Sequence, residues 1–307
     1  MNKTPYYTYP QFMRRFFDQR VQKISVNAGF SCPNRDGKIS TGGCTFCNNH
    51  SFSPDYCLQG DSITQQIQNG LHFFAHKTDY KQFIVYFQSF SNTYASVEKL
   101  EQYYREALSV EGVVGLAIGT RPDCLENDTL QLLSELSKKH FILLELGVES
   151  THDDTLQRIN RGHNFACSVE AIERAHQLGI LTAAHLILGL PGEDKNRILQ
   201  SADRMAKLPI DMLKLHQLQI IKNTALAQQY LQNPDSIPLF SCNDYIDLCI
   251  DFMERLRPDI CIERFVSQSP ENWRIAPNWQ LKNYEFVHRL EARIKERQAF
   301  QGRLFQI

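Results

Sequence analysis

The sequence lacks any long apolar run. None of its 307 residues belongs to a stretch of eighteen consecutive apolar residues, and residues 1–20 contain no apolar segment of the kind that a signal peptide requires. Neither a membrane span nor a secretory leader is therefore expected. The predicted location is the cytoplasm.

The sequence also lacks an excess of charge and an even number of cysteines. Its formal net charge of -1 excludes a globally basic nucleic-acid binder, although it leaves room for a local basic face. The nine cysteines are an odd number, which fits a disulfide framework poorly, and cytoplasmic thiols stay reduced unless they bind a metal. A composition of 42% hydrophobic and 22% charged residues is ordinary for a globular protein of one large or two modest domains.

Three of the cysteines are concentrated in one loop. Cys32, Cys44 and Cys47 fall within sixteen residues, with eleven residues between the first two and two between the last two. The loop is rich in Gly, Asn and Ser and cannot form a core of its own, so we expect a metal to hold it. With His50 as a fourth ligand it would be a structural zinc loop, whereas three ligands alone would leave one iron of a cluster open.

Apolar segments with strand character alternate with segments of helical periodicity along most of the chain. The predicted strands are Val21–Val26, Phe83–Phe87, Val113–Ile118, Phe141–Leu146, Leu181–Leu188 and Met212–Ile221. Six strand–helix units predict a parallel sheet with right-handed crossovers, and hence a partial (β/α)6 barrel of the TIM type over residues 20–225. Residues 226–307 are predicted to be an α/β extension packed on this barrel.

Residues 1–20 interleave aromatic and basic side chains. This N-terminal segment could stack on and neutralise a nucleic acid. We favour the alternative that it is an amphipathic helix whose aromatics dock on the barrel.

Polar residues follow each predicted strand after the first. These segments begin near Gln88, Gly119, Gly147 and Gly189, and the sixth strand itself carries Lys214 and His216. The carboxyl ends of barrel strands meet at one face, where the chemistry of such barrels is found. The cysteine loop follows the first strand, so we expect it at the same face.

The cysteine loop and the strand ends together resemble the radical S-adenosylmethionine (SAM) superfamily. In that superfamily three cysteines after the first barrel strand bind three irons of a 4Fe-4S cluster, and SAM chelates the fourth iron. The long insert between Cys32 and Cys44 departs from the usual Cys-x3-Cys-x2-Cys spacing. A long insert of this kind is similar to that of the branch that includes the elongator catalytic subunit. The sequence resembles most of all the stand-alone bacterial relatives in this branch, those of the YhcC type.

The resemblance implies roles for named residues. Cys32, Cys44 and Cys47 would be the cluster ligands, and Arg121 would bind the SAM carboxylate or an anionic group of the substrate. Apart from the resemblance, Lys214 and His216 on the sixth strand are, together with Arg121, the candidate catalytic residues. Contacts with SAM are implied for Phe46, Gln88, Ser89, Glu149, Ser150, Arg161, His185, Ile187 and Gly189.

The implied activity is that of a radical SAM enzyme. The reduced cluster would cleave SAM, and the resulting 5′-deoxyadenosyl radical would abstract hydrogen from a substrate, which the elongator branch suggests is the side chain of a tRNA wobble uridine. Flavodoxin or ferredoxin would supply the electron. Basic residues on the last helix, Arg289, Arg293 and Arg297, either face tRNA phosphates or form a solvated, ion-paired surface.

Two other functions fit the sequence. A radical SAM enzyme acting on a small metabolite would use Lys214, His216 and Arg264 to hold its substrate. A zinc-stabilised barrel that serves as a binding module would need no SAM at all.

Overall fold

Seven parallel strands form one curled sheet in the computed structural model, which describes residues 4–48, 54, 56–57, 60–75 and 80–306. The strand order is β1-β2-β3-β4-β5-β6-β8, so neighbouring strands follow one another along the chain until the last. These strands are β1 Val21–Val26, β2 Gln82–Phe87, β3 Val113–Thr120, β4 Phe141–Glu149, β5 Leu181–Leu188, β6 Met212–Gln217 and β8 Cys261–Arg264. A short antiparallel pair, β7 Ile220–Ile221 and β9 Arg274–Ala276, lies outside the main sheet.

Helices follow the strands and bury their apolar stripes against the outer face of the sheet, as expected for parallel strands joined by crossovers. Their bounds are α1 Tyr9–Met13, α2 Ile63–Ala75, α3 Val97–Leu108, α4 Asn127–Ser137, α5 Asp153–Arg158, α6 Phe165–Gln177, α7 Lys195–Met205, α8 Ala225–Gln232, α9 Cys242–Met253 and α10 Asn283–Glu296. The predicted strand Met212–Ile221 is divided into β6 and β7. In the part of the chain that the structure describes, no helix is both long and apolar enough to cross a bilayer.

The inner face of the sheet is layered, because side chains on one face of a strand recur at every second residue. At the amino ends of the strands Ile84, Phe141, Leu143 and Met212 form an apolar floor. Phe12 of α1 is 1% exposed and packs into this floor. The aromatics of the N-terminal segment therefore dock on the barrel, as we favoured.

The C-terminal extension completes the sheet. β8 pairs in parallel with β6, with Met212 opposite Cys261, so the seventh strand of the barrel comes from a segment that we had placed outside the barrel. Without β8 the edge of β6 would present unpaired backbone groups. α9 and α10 pack on each other beside the sheet.

Candidate functional site

The carboxyl ends of the strands surround a cavity of about 450 Å³, a size typical of small-molecule sites. Residues of the loop that follows β1 and residues of β6 and β8 all line this cavity. The cavity therefore brings the three cysteines and the polar strand ends together, as the barrel prediction requires.

Backbone and side-chain contacts within the long insert shape the cysteine loop. Asn34 donates from Nδ2 to the carbonyl of Asn160 at 2.5 Å and to Sγ of Cys44 at 3.6 Å, and its own carbonyl accepts from the amide of Gly43 at 2.8 Å. Gly43 has φ of +83°, and a Cβ there would lie 2.7 Å from Nε of Arg35. The insert thus supplies groups that hold the cysteines in place.

Each of the three cysteines has an arginine beside it. Nη1 of Arg161 lies 3.5 Å from Sγ of Cys44, and Nη1 of Arg121 lies 4.0 Å from Sγ of Cys32. Nη2 of Arg35 donates to the carbonyl of Cys47 at 2.7 Å. Positive charge therefore surrounds the thiols, as is typical of sites that stabilise thiolates.

The donor set fits a metal cluster. Burial raises the pKa of Cys47 to about 11. The neighbouring Cys44 raises it further, and Arg35 offsets only part of these two effects. This thiol therefore needs a bound cation to ionise near neutral pH. Among the described residues, no three His, Cys, Asp or Glu side chains stand close enough to share one metal ion. Because each thiolate of an iron–sulfur site binds a different iron, its ligands stand farther apart than those of a single zinc ion. His50, the candidate fourth zinc ligand, lies outside the described residues.

Two lysines and two glutamates form a buried charged layer above the apolar floor. Nζ of Lys214 lies 2.5 Å from Oε2 of Glu145 and 3.2 Å from Oε1 of Glu263. Nζ of Lys23 lies 3.1 Å from Oε1 of Glu145 and 2.9 Å from Oε1 of Glu263. Two ammonium groups thus face two carboxylates in this charged layer, which consists of Lys23, Glu145, Lys214 and Glu263. At its edge Nη2 of Arg264 lies 3.7 Å from Oε1 of Glu263.

The charges of this layer respond differently to burial. Burial opposes ionisation of Glu145, but Lys214 and Lys23 outweigh it and hold the pKa of that carboxyl well below its usual value. Burial lowers the pKa of Lys214 to about 8, and Glu145 and Glu263 offset only part of this effect. At pH 7 both members of the Lys214–Glu145 pair are therefore charged, while Lys214 titrates in a range accessible to experiment.

Two stacked histidines lie beside the charged layer. The ring centroids of His185 and His216 are 5.3 Å apart, and Nε2 of His185 is 3.1 Å from Oε2 of Glu145. Burial lowers the pKa of both imidazoles, that of His216 well below its usual value, so His216 is neutral at pH 7. Nε2 of His216 is buried without a hydrogen-bond partner in the described part of the chain.

Most of the predicted site residues line this cavity. They are Cys32, Cys44, Phe46, Cys47, Gln88, Ser89, Arg121, Glu149, Arg161, His185, Ile187, Lys214 and His216. Ser150 and Gly189 do not line it. The hydroxyl of Ser150 donates to Glu193, and Gly189 lies against the ring of Phe240.

Backbone conformation marks two of the strand ends as unusual. Ser89 and Phe90 after β2 have φ of +69° and +63°, and Glu149 at the end of β4 has φ of +66°. Non-glycine residues rarely adopt this left-handed conformation, which costs of order 1–3 kcal/mol each and is concentrated at functional sites. All three residues line the cavity.

Sequence reasoning missed several residues of the cavity wall. Glu145 carried a signal, because it is the one charge inside the apolar segment Phe141–Leu146. Arg35 and Tyr86 have no sequence feature that distinguishes them from surface residues. Their positions follow from the loop insert and from the register of β2, which the sequence does not reveal.

The two family models that match the chain are those of the radical SAM superfamily, over residues 34–205, and of its C-terminal domain, over residues 210–296. The chain is 35% identical to YtqA of Bacillus subtilis over 305 residues, which cover 98% of this chain and 93% of that protein. It is 37% identical to YhcC of Escherichia coli K12 over 268 residues, 87% of this chain and 85% of that protein. These matches confirm the predicted resemblance.

A more distant similarity extends to the elongator branch. The chain is 30% identical over 122 residues to the tRNA uridine(34) acetyltransferase of Methanocaldococcus infernus, 38% of this chain and 22% of that protein. The chain also superimposes on a structure of Elp3 from the same organism, with a TM-score of 0.69 and 13% identity. That Elp3 lacks its N-terminal residues 1–46. The match covers 92% of this chain but 64% of that one, and it confirms the predicted partial barrel with its extension.

Proposed function

The chain belongs to the radical SAM superfamily, and from this premise we propose that its cavity cleaves SAM reductively and abstracts hydrogen from the side chain of a tRNA wobble uridine. As a member of this superfamily the chain is an enzyme whose cofactors are a 4Fe-4S cluster and SAM. The observation that carries the proposal is the shared cavity. It is lined both by the three thiols and by polar and charged groups of the strand ends.

Cys32, Cys44 and Cys47 would hold the cluster. A 4Fe-4S cluster with three protein ligands supplies an open iron for SAM and the electron that splits SAM into methionine and a 5′-deoxyadenosyl radical. The chain's own residues orient SAM and keep out water. External reduction by flavodoxin or ferredoxin is part of the proposal.

Several of the residues proposed to contact SAM lie on or just after three strands. Gln88 and Ser89 follow β2, Glu149 ends β4, and His185 and Ile187 lie on β5. The left-handed backbone at Ser89 and Glu149 fixes the direction of these strand ends toward the cavity. Arg161 and Arg121 would supply positive charge close to the SAM carboxylate, because both line the cavity.

Support for a tRNA substrate comes from the partial similarity to the tRNA uridine(34) acetyltransferase. The basic face on α10 does not add to this support. Arg293 and Arg297 are ion-paired with Asp247, and Arg297 also with Asp251. Arg293 and Arg297 are thus neutralised within the protein, which favours the ion-paired interpretation for these two residues.

A deletion strain tests the substrate. We expect mass spectrometry of its tRNA nucleosides to show a changed wobble uridine that the wild-type gene restores and a gene encoding Cys32→Ala does not. Unchanged wobble uridines, with purified protein that still forms 5′-deoxyadenosine, would contradict a tRNA substrate.

The cavity also favours a second candidate, a small polar metabolite. Arg264 and His216 line the same cavity as the cysteines, and within the described residues Nε2 of His216 is buried without a hydrogen-bond partner. These groups would bind a carboxylate or carbonyl of such a substrate. A metabolite that accumulates in the deletion strain while its tRNA is unchanged would favour this alternative.

A further inference from the structure

We propose that Arg161 is a positioning residue for the cluster, in that it donates an N–H···S hydrogen bond to the Cys44 thiolate and thereby raises the reduction potential of the cluster. This inference rests on the proposed function, which places a cluster at Cys44. It gives Arg161 a task that is independent of SAM. Its experiment is therefore done without SAM.

The geometry carries the first step. Nη1 of Arg161 lies 3.5 Å from Sγ of Cys44, within hydrogen-bond reach of a sulfur acceptor. The same sulfur accepts from Nδ2 of Asn34 at 3.6 Å. Two donors thus point at one cluster ligand, one of them cationic.

Arg161 is held in this position by burial and by a fixed backbone. The residue is 6% exposed, and its Nη2 donates to the carbonyl of Gly147 on β4. A Cβ at position 147 would lie 2.8 Å from that nitrogen, so a glycine is needed for the guanidinium to approach the strand. A guanidinium fixed through Nη2 in this way keeps Nη1 directed at the sulfur.

The charge of Arg161 is only partly compensated. Its nearest carboxylate, Oε1 of Glu149, is 3.7 Å away, and its Nε is buried without a partner among the described residues. Arg121 differs, because Asp123 binds its guanidinium through two hydrogen bonds of 2.8 Å. Of the two arginines that approach a thiol sulfur, Arg161 therefore keeps more of its positive charge for the cluster.

The consequence follows from the charge that reduction adds. An iron–sulfur cluster gains one negative charge when it is reduced, and hydrogen bonds to its sulfurs and nearby cations stabilise that charge. Arg161 supplies both. Its removal should make the cluster harder to reduce.

The experiment is a redox titration of the anaerobically reconstituted full chain, followed by electron paramagnetic resonance without SAM. We expect Arg161→Gln to lower the ratio of reduced to oxidised cluster at least tenfold at a fixed solution potential, a shift of about 59 mV for one electron. Arg161→Lys, which keeps the charge but loses the fork, should shift the potential in the same direction by less. Arg158→Gln is the matched control, because Arg158 lies in the same segment, is exposed and donates to the carbonyl of Pro191.

Three results would overturn the inference. The first is a cluster reduction potential in Arg161→Gln that is equal to or above that of the wild type. If SAM binding is weaker in the same variant, Arg161 is a SAM contact alone. The second result applies if Arg161→Gln holds no cluster. It is a cluster reduction potential in Arg161→Lys that is the same as in the wild type. The third is loss of iron and sulfide from both variants but not from Arg158→Gln, since a residue that tunes the potential leaves cluster content near normal. Wild-type protein without iron and sulfide would instead refute the proposed function.

Discussion

Replacing Glu145 by glutamine should destabilise the fold strongly, because it removes one charge from the charged layer. Glu145 has no exposed side-chain surface and faces the ammonium groups of both Lys23 and Lys214. The substitution leaves these two cations opposite the single carboxylate of Glu263. Breaking a buried ion pair in this way costs about 3–5 kcal/mol. At about 2 °C per kcal/mol, the slope for large domains, the melting temperature should fall by roughly 6–10 °C.

The assay is urea and thermal unfolding of the wild type, Glu145→Gln, Lys214→Met and the double variant. The double variant restores equal numbers of opposite charges, so its loss of stability should be clearly smaller than the sum of the two single losses. The pH dependence has a defined sign. Since the pKa of Glu145 is held well below its usual value, the native state binds fewer protons than the unfolded state, and the stability from this group is lost as pH falls below about 4.5.

The reasoning is refuted if Glu145→Gln changes the unfolding free energy by less than about 1 kcal/mol, which is the range of surface ion pairs. The reasoning is also refuted if the loss of unfolding free energy in the double variant equals the sum of the losses in the two single variants. In either case the four charges would not act as one layer.

Two further predictions concern the loop and the lysine. Gly43→Ala should cost about 1–3 kcal/mol and lower cluster content, because the residue has φ of +83° and its Cβ would meet Nε of Arg35 at 2.7 Å. Gly42→Ala is the matched control, because Gly42 has φ of +84° but a Cβ added there would have nothing within 4 Å. Equal iron content in the two variants would contradict the role of Arg35. Because burial lowers the pKa of Lys214 to about 8, the unfolded state binds more protons than the native state above this pH, and the unfolding free energy should rise from pH 8 toward pH 10 relative to Lys214→Arg. Parallel pH curves for wild type and Lys214→Arg would show that Lys214 does not titrate in this range.

The local sequence was enough to predict the barrel. β1 and β5 begin and end where their apolar segments do. The position of the cysteine loop then follows from strand order alone, because parallel strands place their carboxyl ends together.

Long-range pairing was beyond the sequence. Glu145 and Lys214 are 69 residues apart, and only the register of β4, β5 and β6 brings them into contact. The sequence predicts a strand over residues 260–266, where β8 lies, but not its pairing with β6, which only the fold reveals. Ser150 follows a strand end like its neighbours, yet its hydroxyl donates to Glu193 and it lies outside the cavity lining.

The most direct test of the central claim is reductive cleavage of SAM by anaerobically reconstituted protein. With dithionite and SAM, the wild type should hold iron and acid-labile sulfide and release 5′-deoxyadenosine and methionine. Replacement of Cys32, Cys44 or Cys47 by alanine should abolish both cluster and products, whereas Cys57→Ala and Cys124→Ala should retain them. One zinc atom per chain without inorganic sulfide, or fully clustered protein that forms no 5′-deoxyadenosine, would contradict the account.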